Sequence, residues 1–249
     1  MRKQTREIRQ RLLEHIFWGI QGPAVEVAQE YDLSRQGAHL HLGALERDGL
    51  VDGKGQTRLR RYSLSELERA GQKYKLDGSL SAEQIWERVL KGPTLGCGPQ
   101  AHELLHYAAV AAIANAIDHS GGTRVAIELL RTAVSVRISI EDDGVGVFKK
   151  IADAARLHGP YEAAVKLADT RFTTDPGRHK GEALHFAARA CDRYEICSGQ
   201  VRIARSSLDQ RMRIETVRDP VQGTRVVLEL ILPAKRTLKE VLRLRGGKA

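Results

Sequence analysis

The chain has 249 residues, of which 42% are hydrophobic and 29% are charged, so its composition indicates a globular protein with room for two domains. The formal net charge of +9 favours a polyanionic partner, either nucleic acid or an anionic membrane surface, although a basic but otherwise ordinary surface would give the same total. The sequence has no apolar run of about 20 residues, no signal-peptide pattern and only three cysteines in no metal-site or disulfide spacing, so we expect a cytoplasmic protein without a membrane partner.

Three short helices and a β-hairpin are predicted within residues 1–63. Apolar residues recur at helical spacing over residues 5–20, and Gly22-Pro23 ends that pattern. Ser34 is a favourable N-cap for a helix from about Arg35 to Asp48, which Gly49 terminates. The other predicted elements are a helix over residues 24–31 and a hairpin that pairs residues 50–52 with residues 59–62 around Gly53-Lys54-Gly55.

The segment VAQEYDLSRQGAHLHLGALERDGLV, followed by the basic hairpin, resembles a bacterial winged helix-turn-helix domain. The resemblance implies that the third helix enters the major groove of double-stranded DNA, where its first residues can hydrogen-bond to base edges. These residues are Ser34, Arg35, Gln36 and His39. Phosphates would be contacted by the hairpin arginines Arg58, Arg60 and Arg61, which add affinity without sequence information. A winged helix that contacts protein is the alternative.

The middle of the chain is predicted to connect this region to a second domain. Residues 64–80 are polar, and we expect a linker with a short helix from Ser65 to about Ala70. Ser81-Ala-Glu-Gln84 has the form of a capping box and opens the next helix. A Gly/Pro-rich loop over residues 91–99 leads into one long alanine-rich helix from Gln100 to about His119.

The rest of the chain alternates between strand and helix patterns. Residues 124–130 and 134–140 alternate apolar and polar side chains and predict two antiparallel strands. The later predicted elements are a helix over residues 181–191 and strands over residues 193–198, 200–206, 211–217 and 224–232. Helices on one face of a mostly antiparallel sheet make an α+β two-layer sandwich, which we expect over residues 81–234.

Four motifs follow one another in this second domain. They are NAIDHSGG (residues 115–122), DDGVGV (residues 142–147), HKGEAL (residues 179–184) and GTRVVLELILP (residues 223–233). In this order and spacing they resemble the histidine-kinase-like ATPase superfamily, which includes sensor kinases, gyrase subunits, MutL-type repair proteins and heat-shock chaperones. More narrowly, residues 172–199 are similar to bacterial ATP-binding regulators that join a winged helix to this fold.

The resemblance implies a site for ATP or ADP with Mg²⁺. Asn115 would hold the metal ion between phosphates, since an amide oxygen suits a hard, mostly hydrated cation. Asp143 would accept a hydrogen bond from the adenine amino group, with Thr224 in support. Gly144 and Gly146 of the DDGVGV motif, which the superfamily has as its first glycine box, would let the backbone approach the base. The implied site residues are Asn115, Asp118, Asp143, Gly144, Gly146, Gly181 and Thr224.

Three departures from the superfamily pattern bear on turnover. Members that hydrolyse ATP or transfer its phosphate usually place an acidic residue four positions before the Asn, and that position is Ala111 here. Ala183 stands where related regulators have a further glycine, and Ala168-Asp169-Thr170 stands where their lid is basic. These changes remove phosphate donors and positive charge, so no catalytic residue is assigned and enzymatic activity stays an open question.

We therefore expect a DNA-binding transcriptional regulator whose second domain senses a nucleotide or a partner protein. Because helix-turn-helix readers usually bind paired half-sites, we also expect a homodimer. One alternative is an active ATPase or anti-sigma-type protein kinase, although His102, which resembles a phosphoacceptor, lies inside the long helix. Another is a degenerate domain that binds no nucleotide and serves in dimerisation or protein interaction. Residues 235–249 are predicted to form a basic tail that packs on a partner, binds DNA or stays solvated.

Overall fold

The computed structural model describes residues 2–56, 60–169, 183–209 and 211–243. The chain divides into two compact units. The first unit comprises residues 1–69 with residues 130–136, and the second comprises residues 70–129 with residues 137–249. Within the described ranges, no helix is both long enough and apolar enough to cross a membrane.

The first unit begins with three helices and a short hairpin. Their bounds are α1 (Arg2–Trp18), α2 (Pro23–Glu30), α3 (Arg35–Arg47), β1 (Val51–Lys54) and β2 (Arg61–Leu64). The Ser34 hydroxyl caps α3 by accepting from the Gly37 backbone N–H at 3.0 Å, and Gly49 follows the helix with a φ of 69°, as predicted. Strands β1 and β2 are antiparallel and pair Val51 with Leu64. The predicted order of three helices and a hairpin is confirmed.

The remaining elements form a mixed α+β fold. Their bounds are β3 (Glu68–Lys75), α4 (Ala82–Ile85), a π-helical turn (Trp86–Leu90), α5 (Lys91–Leu95), α6 (Pro99–His119), β4 (Arg124–Arg131), β5 (Ser135–Asp142), α7 (Val147–Ala155), α8 (Pro160–Asp169), α9 (Ala183–Ala190), β6 (Arg193–Ser206), β7 (Met212–Ile231) and α10 (Leu238–Arg243). The strands make one five-stranded sheet with the order β3–β4–β5–β7–β6. Helices α6 and α9 pack on each other and on β7. The expected α+β class is confirmed.

Several local predictions for this fold are confirmed. The capping box at the start of α4 is present, with Ser81 and Gln84 exchanging side-chain and backbone hydrogen bonds. The long alanine-rich helix is α6, whose alanines are buried so that neighbouring elements approach closely. Strands β4 and β5 are joined by three residues, which makes the pair antiparallel.

The predicted helix from Ser65 to about Ala70 is wrong, because that part of the chain enters strand β3. Hydrogen bonds from Leu67 N to Arg131 O (2.8 Å) and from Leu76 N to Thr123 O (2.9 Å) lie just outside the two ends of β3. Within the strand, Gly71 passes so close to Ile127 that a Cβ would lie 2.9 Å from its carbonyl oxygen. Pairing with β4 therefore overrides the polar, turn-like character of this segment.

The end of the chain also differs from the prediction in two respects. The four predicted final strands are two long strands, β6 and β7, which pair antiparallel with register shifts on either side of Gly199. Of the predicted basic tail, residues 235–243 are described, and their helix α10 contacts α9 and α6. Val241 of α10 is buried, so this part of the tail belongs to the core rather than to solvent.

Candidate functional site

The C-terminal end of α6 is in direct contact with the glycine turn, which we define as residues 142–146. The Val145 N–H donates to the Ser120 carbonyl oxygen at 2.9 Å. A Cβ on Gly144 would overlap the backbone of Ser120, so only glycine allows this approach. The Lys150 ammonium, from α7, donates to the His119 carbonyl oxygen at 2.7 Å. The carbonyl groups of His119 and Ser120 are thus satisfied by α7 and by the turn, respectively.

Asp142 is the carboxylate that lies inside the turn. It is 5% exposed, and its Oδ1 accepts from the Gly144 N–H at 3.0 Å and from the Thr224 N–H at 3.2 Å. Burial raises the pKa of Asp142, and the two backbone hydrogen bonds partly oppose that rise. Its Oδ2 accepts no hydrogen bond from the described residues, and this oxygen is partly accessible rather than fully enclosed. One carboxylate oxygen is therefore fixed by the fold, while the other remains available to accept a hydrogen bond.

Asp143, the residue predicted to accept from adenine, is held in a different way. Its Oδ1 accepts from the N–H groups of Thr123 (2.6 Å) and Arg124 (2.9 Å), and its Oδ2 accepts from the Thr123 hydroxyl (2.7 Å). The Thr123 hydroxyl and then the Arg124 N–H lower the pKa of Asp143. Both carboxylate oxygens are thus engaged at the start of β4, and the predicted role fits Asp142 instead.

Two features of the sequence distinguish Asp142 from Asp143. The buried residues Ile138 and Ile140 alternate along β5, and Asp142 continues that alternation on the same face. The spacing Asp-x-Gly-x-Gly, counted back from Gly146, also begins at Asp142. Both patterns single out Asp142, whereas the resemblance implied Asp143, and the role of either aspartate toward a base stays a prediction.

The middle of β7 completes the surroundings of the turn. The Thr224 hydroxyl accepts from the Val147 N–H at 3.0 Å, and Thr224 is 4% exposed. Gly146 has a φ of 93°, and a Cβ there would overlap the Ser198 hydroxyl, which itself donates to the Gly223 carbonyl at 2.7 Å. The structure therefore brings Gly144, Gly146 and Thr224 together, as the motifs indicated. The carboxylate that lies with them is that of Asp142, whereas the motifs indicated Asp143.

Asn115 lies on α6, five residues before Ser120. It is half-buried, and its side-chain amide has no hydrogen-bond partner in the part of the chain that the structure describes. Ala111 precedes it by one helical turn on the same face, so no carboxylate stands beside the amide from that position. Asn115 can therefore offer an oxygen ligand, and its own helix supplies no base at that point.

Asp118 was predicted to be a nucleotide ligand, but it lines a different depression. The pocket has a volume of about 240 Å³ and lies between the end of β3, the last residue of α4 and the end of α6. Its lining includes Tyr74, Ile85 and Ile117, and neither Asn115 nor any residue of the glycine turn is among the described lining residues. Asp118 is exposed there. The geometry therefore gives no support for a shared site with Asp142.

Two predicted site residues lie outside the described residues. They are Gly181 of the HKGEAL motif and Arg58, which was predicted in the hairpin. The lid residue Thr170 is also outside them, and α9 begins at Ala183. The described parts of the candidate site are thus the glycine turn, the end of α6 and the middle of β7.

The predicted DNA-contacting residues can be placed in the first unit. Four of them are exposed at the start of α3, namely Ser34, Arg35, Gln36 and His39. Arg60 forms an ion pair with Glu46 and lies over the ring of Tyr62, with 5.5 Å from the guanidinium carbon to the ring centroid. Arg61 is exposed and has no ion-pair partner among the described residues. The two arginines therefore differ in the charge they can offer to a phosphate.

Two of the three histidines on α6 pack against a buried tryptophan. The rings of His102 and His106 meet Trp86 edge to face, with centroid distances of 5.5 and 4.8 Å. His102 Nδ1 lies 2.9 Å from the Thr94 hydroxyl, and His106 Nε2 lies 2.9 Å from a Glu83 carboxylate oxygen. No group of three or more metal-ligating side chains is found among the described residues. His102 is therefore held by ring packing and by a hydroxyl contact within α6 and its neighbours.

Comparison with known proteins agrees with this geometry. Residues 101–234, more than half of the chain, match the family of histidine kinase-, DNA gyrase B- and HSP90-like ATPases. The match begins at the start of α6 and ends just beyond β7, so it includes Asn115, the glycine turn and Thr224. No match was found among curated proteins.

Proposed function

Since the chain belongs to the family of histidine kinase-, DNA gyrase B- and HSP90-like ATPases, we propose that its second unit binds an adenine nucleotide at the glycine turn. Members of this family bind ATP or ADP with Mg²⁺ as a general property. The proposal specifies the residues: Asp142 for the base, Gly144 and Gly146 for close approach of the backbone, and Asn115 for the metal ion. Thr224 orders the turn.

The observation that carries the proposal is the half-satisfied carboxylate of Asp142. A buried carboxylate is unfavourable unless its oxygens are hydrogen-bonded, and only Oδ1 has partners among the described residues. The exocyclic amino group of adenine donates a hydrogen bond and would supply the second partner. Guanine has a carbonyl oxygen at the equivalent ring position, which would face the carboxylate with like partial charge. The site therefore favours adenine over guanine.

The residues around α6 also fit a nucleotide-bound metal ion. The Asn115 amide oxygen is a suitable ligand for Mg²⁺, which retains most of its water and would bridge phosphate oxygens when bound. Ala111 provides no group that could orient or deprotonate a water molecule. We therefore propose a module that binds nucleotide with little or no turnover, rather than an active ATPase or an anti-sigma-type kinase.

For the first unit we propose recognition of double-stranded DNA by α3, with the β1–β2 hairpin as a wing. The support is the exposure of Arg35, Gln36 and His39 on the first turns of α3, next to a hairpin that contains exposed Arg61. In this arrangement the chain is a transcriptional regulator that binds DNA as a homodimer and responds to nucleotide or to a protein partner. Such a response requires the ligand to bind two states of the protein with different affinities.

Nucleotide binding can be tested by isothermal titration of the pure protein with Mg-ATP and Mg-ADP, alongside a steady-state assay for phosphate release. We expect saturable binding and no turnover above buffer. Turnover that Asn115→Ala abolishes would favour the active ATPase or kinase instead. Absence of binding to both nucleotides would leave the second unit as an interaction or dimerisation module.

DNA recognition can be tested by selecting bound fragments from a genomic library and measuring their affinity by fluorescence anisotropy. Arg35→Ala should reduce the preference for the selected fragments over random DNA, because a bidentate arginine discriminates bases by about 1–3 kcal/mol. Binding that shows no preference in the wild-type protein, or a preference that this substitution leaves unchanged, would contradict reading by α3.

A further inference from the structure

We infer that Asp143 is a positioning residue, which fastens the start of β4 to the glycine turn and thereby sets the place of Asn115 relative to Asp142. The inference rests on the proposed nucleotide site and adds a role for a residue that does not touch the ligand in that proposal. Its basis is a set of contacts between residues 119–124 and residues 143–150, all within the second unit.

The first set of contacts comes from the Asp143 carboxylate. It accepts three hydrogen bonds, two from the N–H groups of Thr123 and Arg124 and one from the Thr123 hydroxyl, at 2.6–2.9 Å. The Asp143 N–H donates in return to the Arg124 carbonyl oxygen at 3.3 Å. A carboxylate that accepts several short hydrogen bonds is a strong local restraint, because each one is charge-assisted. Asp143 is thus tied to the beginning of β4 through both its side chain and its backbone.

The second set closes the segment between α6 and β4. The Ser120 hydroxyl accepts from the Gly122 N–H at 3.1 Å, and the Ser120 carbonyl accepts from Val145 of the glycine turn. Gly122 has no space for a side chain, since a Cβ would lie 2.5 Å from the Asp143 carboxylate. Residues 120–124 therefore cannot shift without breaking contacts to the glycine turn at both ends.

These contacts link the two halves of the proposed site. Asn115 and Ser120 lie at the end of one helix, about 7.5 Å apart along its axis at 1.5 Å per residue. Asp142 is joined covalently to Asp143. Since a nucleotide has a fixed reach from base to phosphate, the amide and the Asp142 carboxylate must be held at a matching separation. The hydrogen bonds of Asp143 and Ser120 supply that restraint.

If Asp143 positions the two halves of the site, its substitution should affect the affinities for a short and a long ligand differently. Adenosine reaches only the base-binding half, whereas Mg-ADP engages both halves. Asp143→Ala should change the affinity for adenosine by no more than about twofold. The ratio of the affinity for Mg-ADP to that for adenosine, which we call the gain, should fall by about tenfold, a typical coupling between two sites. Asp143→Asn should restore most of that gain, because an amide oxygen can still accept from both backbone N–H groups.

The controls separate positioning from general damage. Asp153→Ala removes an equal charge from an exposed i,i+4 pair with Lys149 and should change neither ligand's affinity. Thr123→Val should lower the gain for Mg-ADP in the wild-type background and have little further effect in Asp143→Ala, because both changes break the same hydrogen bond. Equal losses for adenosine and Mg-ADP in Asp143→Ala, with no rescue by Asp143→Asn, would overturn the inference.

The experiment also distinguishes a failure of the proposed nucleotide site from a failure of the positioning role. If the wild-type protein binds neither adenosine nor Mg-ADP, the nucleotide site is wrong, and amide hydrogen exchange without ligand then decides the role of Asp143. Asp143→Ala should accelerate exchange at Thr123, Arg124 and Val145, and leave Ile196 in β6 unchanged. Unchanged exchange at the first three amides would overturn the positioning role.

Discussion

Asp142 and Thr224, 82 positions apart in the chain, are joined by a hydrogen bond of 3.2 Å from the Thr224 N–H to the Asp142 carboxylate. The bond connects the last residue of β5 to β7, its neighbour in the sheet. The Thr224 hydroxyl accepts in turn from Val147, the first residue of α7. A buried carboxylate, a strand and a helix start are therefore linked in one small polar network, around which the proposed site is built.

Replacing the Thr224 hydroxyl tests this network directly. Thr224→Val keeps the shape of the side chain but leaves the Val147 N–H without its acceptor, and we expect the free energy of unfolding to fall by about 1–2 kcal/mol. Urea denaturation followed by circular dichroism would measure it. Thr224→Ser is the matched control, since it keeps the hydroxyl, and it should retain most of the stability lost in Thr224→Val. A loss in Thr224→Ser as large as that in Thr224→Val would contradict this prediction, because the serine hydroxyl can still accept from the Val147 N–H.

Neutralising Asp142 and neutralising Asp143 should change the free energy of unfolding in opposite directions. Burial raises the pKa of Asp142, so the folded protein holds this proton more tightly than the unfolded chain. The contribution of Asp142 to stability is greatest below the ordinary pKa of aspartate and decreases as the pH rises from that value to the raised one. Asp142→Asn should therefore increase the free energy of unfolding at pH 7, even though we expect it to remove the preference for adenine nucleotides.

Asp143 provides the matched comparison. Its hydrogen bonds with Thr123 and Arg124 lower its pKa, so its stabilising contribution is present above the ordinary pKa of aspartate and is lost as the pH falls through the lowered value. Asp143→Asn should accordingly decrease the free energy of unfolding at pH 7, and the difference from wild type should shrink in acid. Urea titrations of both variants at several pH values would measure this, and effects of the same sign at pH 7 would contradict the assignment of the buried and exposed carboxylates.

The C-terminal segment should contribute to the stability of the second unit. The Arg236 guanidinium donates to Asp192 Oδ1 at 2.6 Å and to the Ala190 carbonyl at 3.2 Å, and Asp192 also accepts from the Ile231 N–H at 2.8 Å. Arg236→Ala leaves a largely buried carboxylate without its cation, so we expect a loss of about 2 kcal/mol in thermal or urea denaturation. Lys239→Ala removes the same charge from an exposed position of α10 and should change stability by less than about 0.5 kcal/mol.

The two described hairpin arginines should contribute unequally to DNA affinity. Arg60 is paired with Glu46, whereas Arg61 is exposed and has no ion-pair partner among the described residues. Arg61→Ala should therefore weaken binding to all sequences more than Arg60→Ala does, and it should reduce the slope of log affinity against log salt by about 1. Anisotropy titrations at several salt concentrations would measure both. A larger effect from Arg60 would mean that its pair with Glu46 opens on DNA, contrary to this prediction.

The sequence predicts those parts of the fold that local chemistry determines. Ser34 and Ser81 cap helices because a hydroxyl satisfies free N–H groups within three residues of itself. The alanines of α6 indicate close packing whatever the partner. The α+β class and the family follow from these elements and from the order of four motifs. Each of these signals lies within one element or one turn.

The features that the sequence did not predict depend on contacts between distant segments. Strand β3 has a polar sequence with a glycine, and it becomes a strand because β4 offers an edge on which to pair. Asp142 and Asp143 are chemically identical. Asp142 ends β5 on its buried face and is hydrogen-bonded by Thr224, whereas Asp143 follows the strand and is hydrogen-bonded by Thr123. Asp118 follows Asn115 by less than one helical turn, yet it lines a pocket with residues of β3 and α4.

The central claim is that the Asp142 carboxylate selects an adenine nucleotide. Its most direct test is isothermal titration of the wild-type protein and Asp142→Asn with Mg-ADP and Mg-GDP. We predict that the wild-type protein binds Mg-ADP at least about tenfold more tightly than Mg-GDP, the discrimination of one charge-assisted hydrogen bond, and that Asp142→Asn removes this preference while remaining folded. Equal affinity of the wild-type protein for the two nucleotides, or an unchanged preference in Asp142→Asn, would contradict the claim.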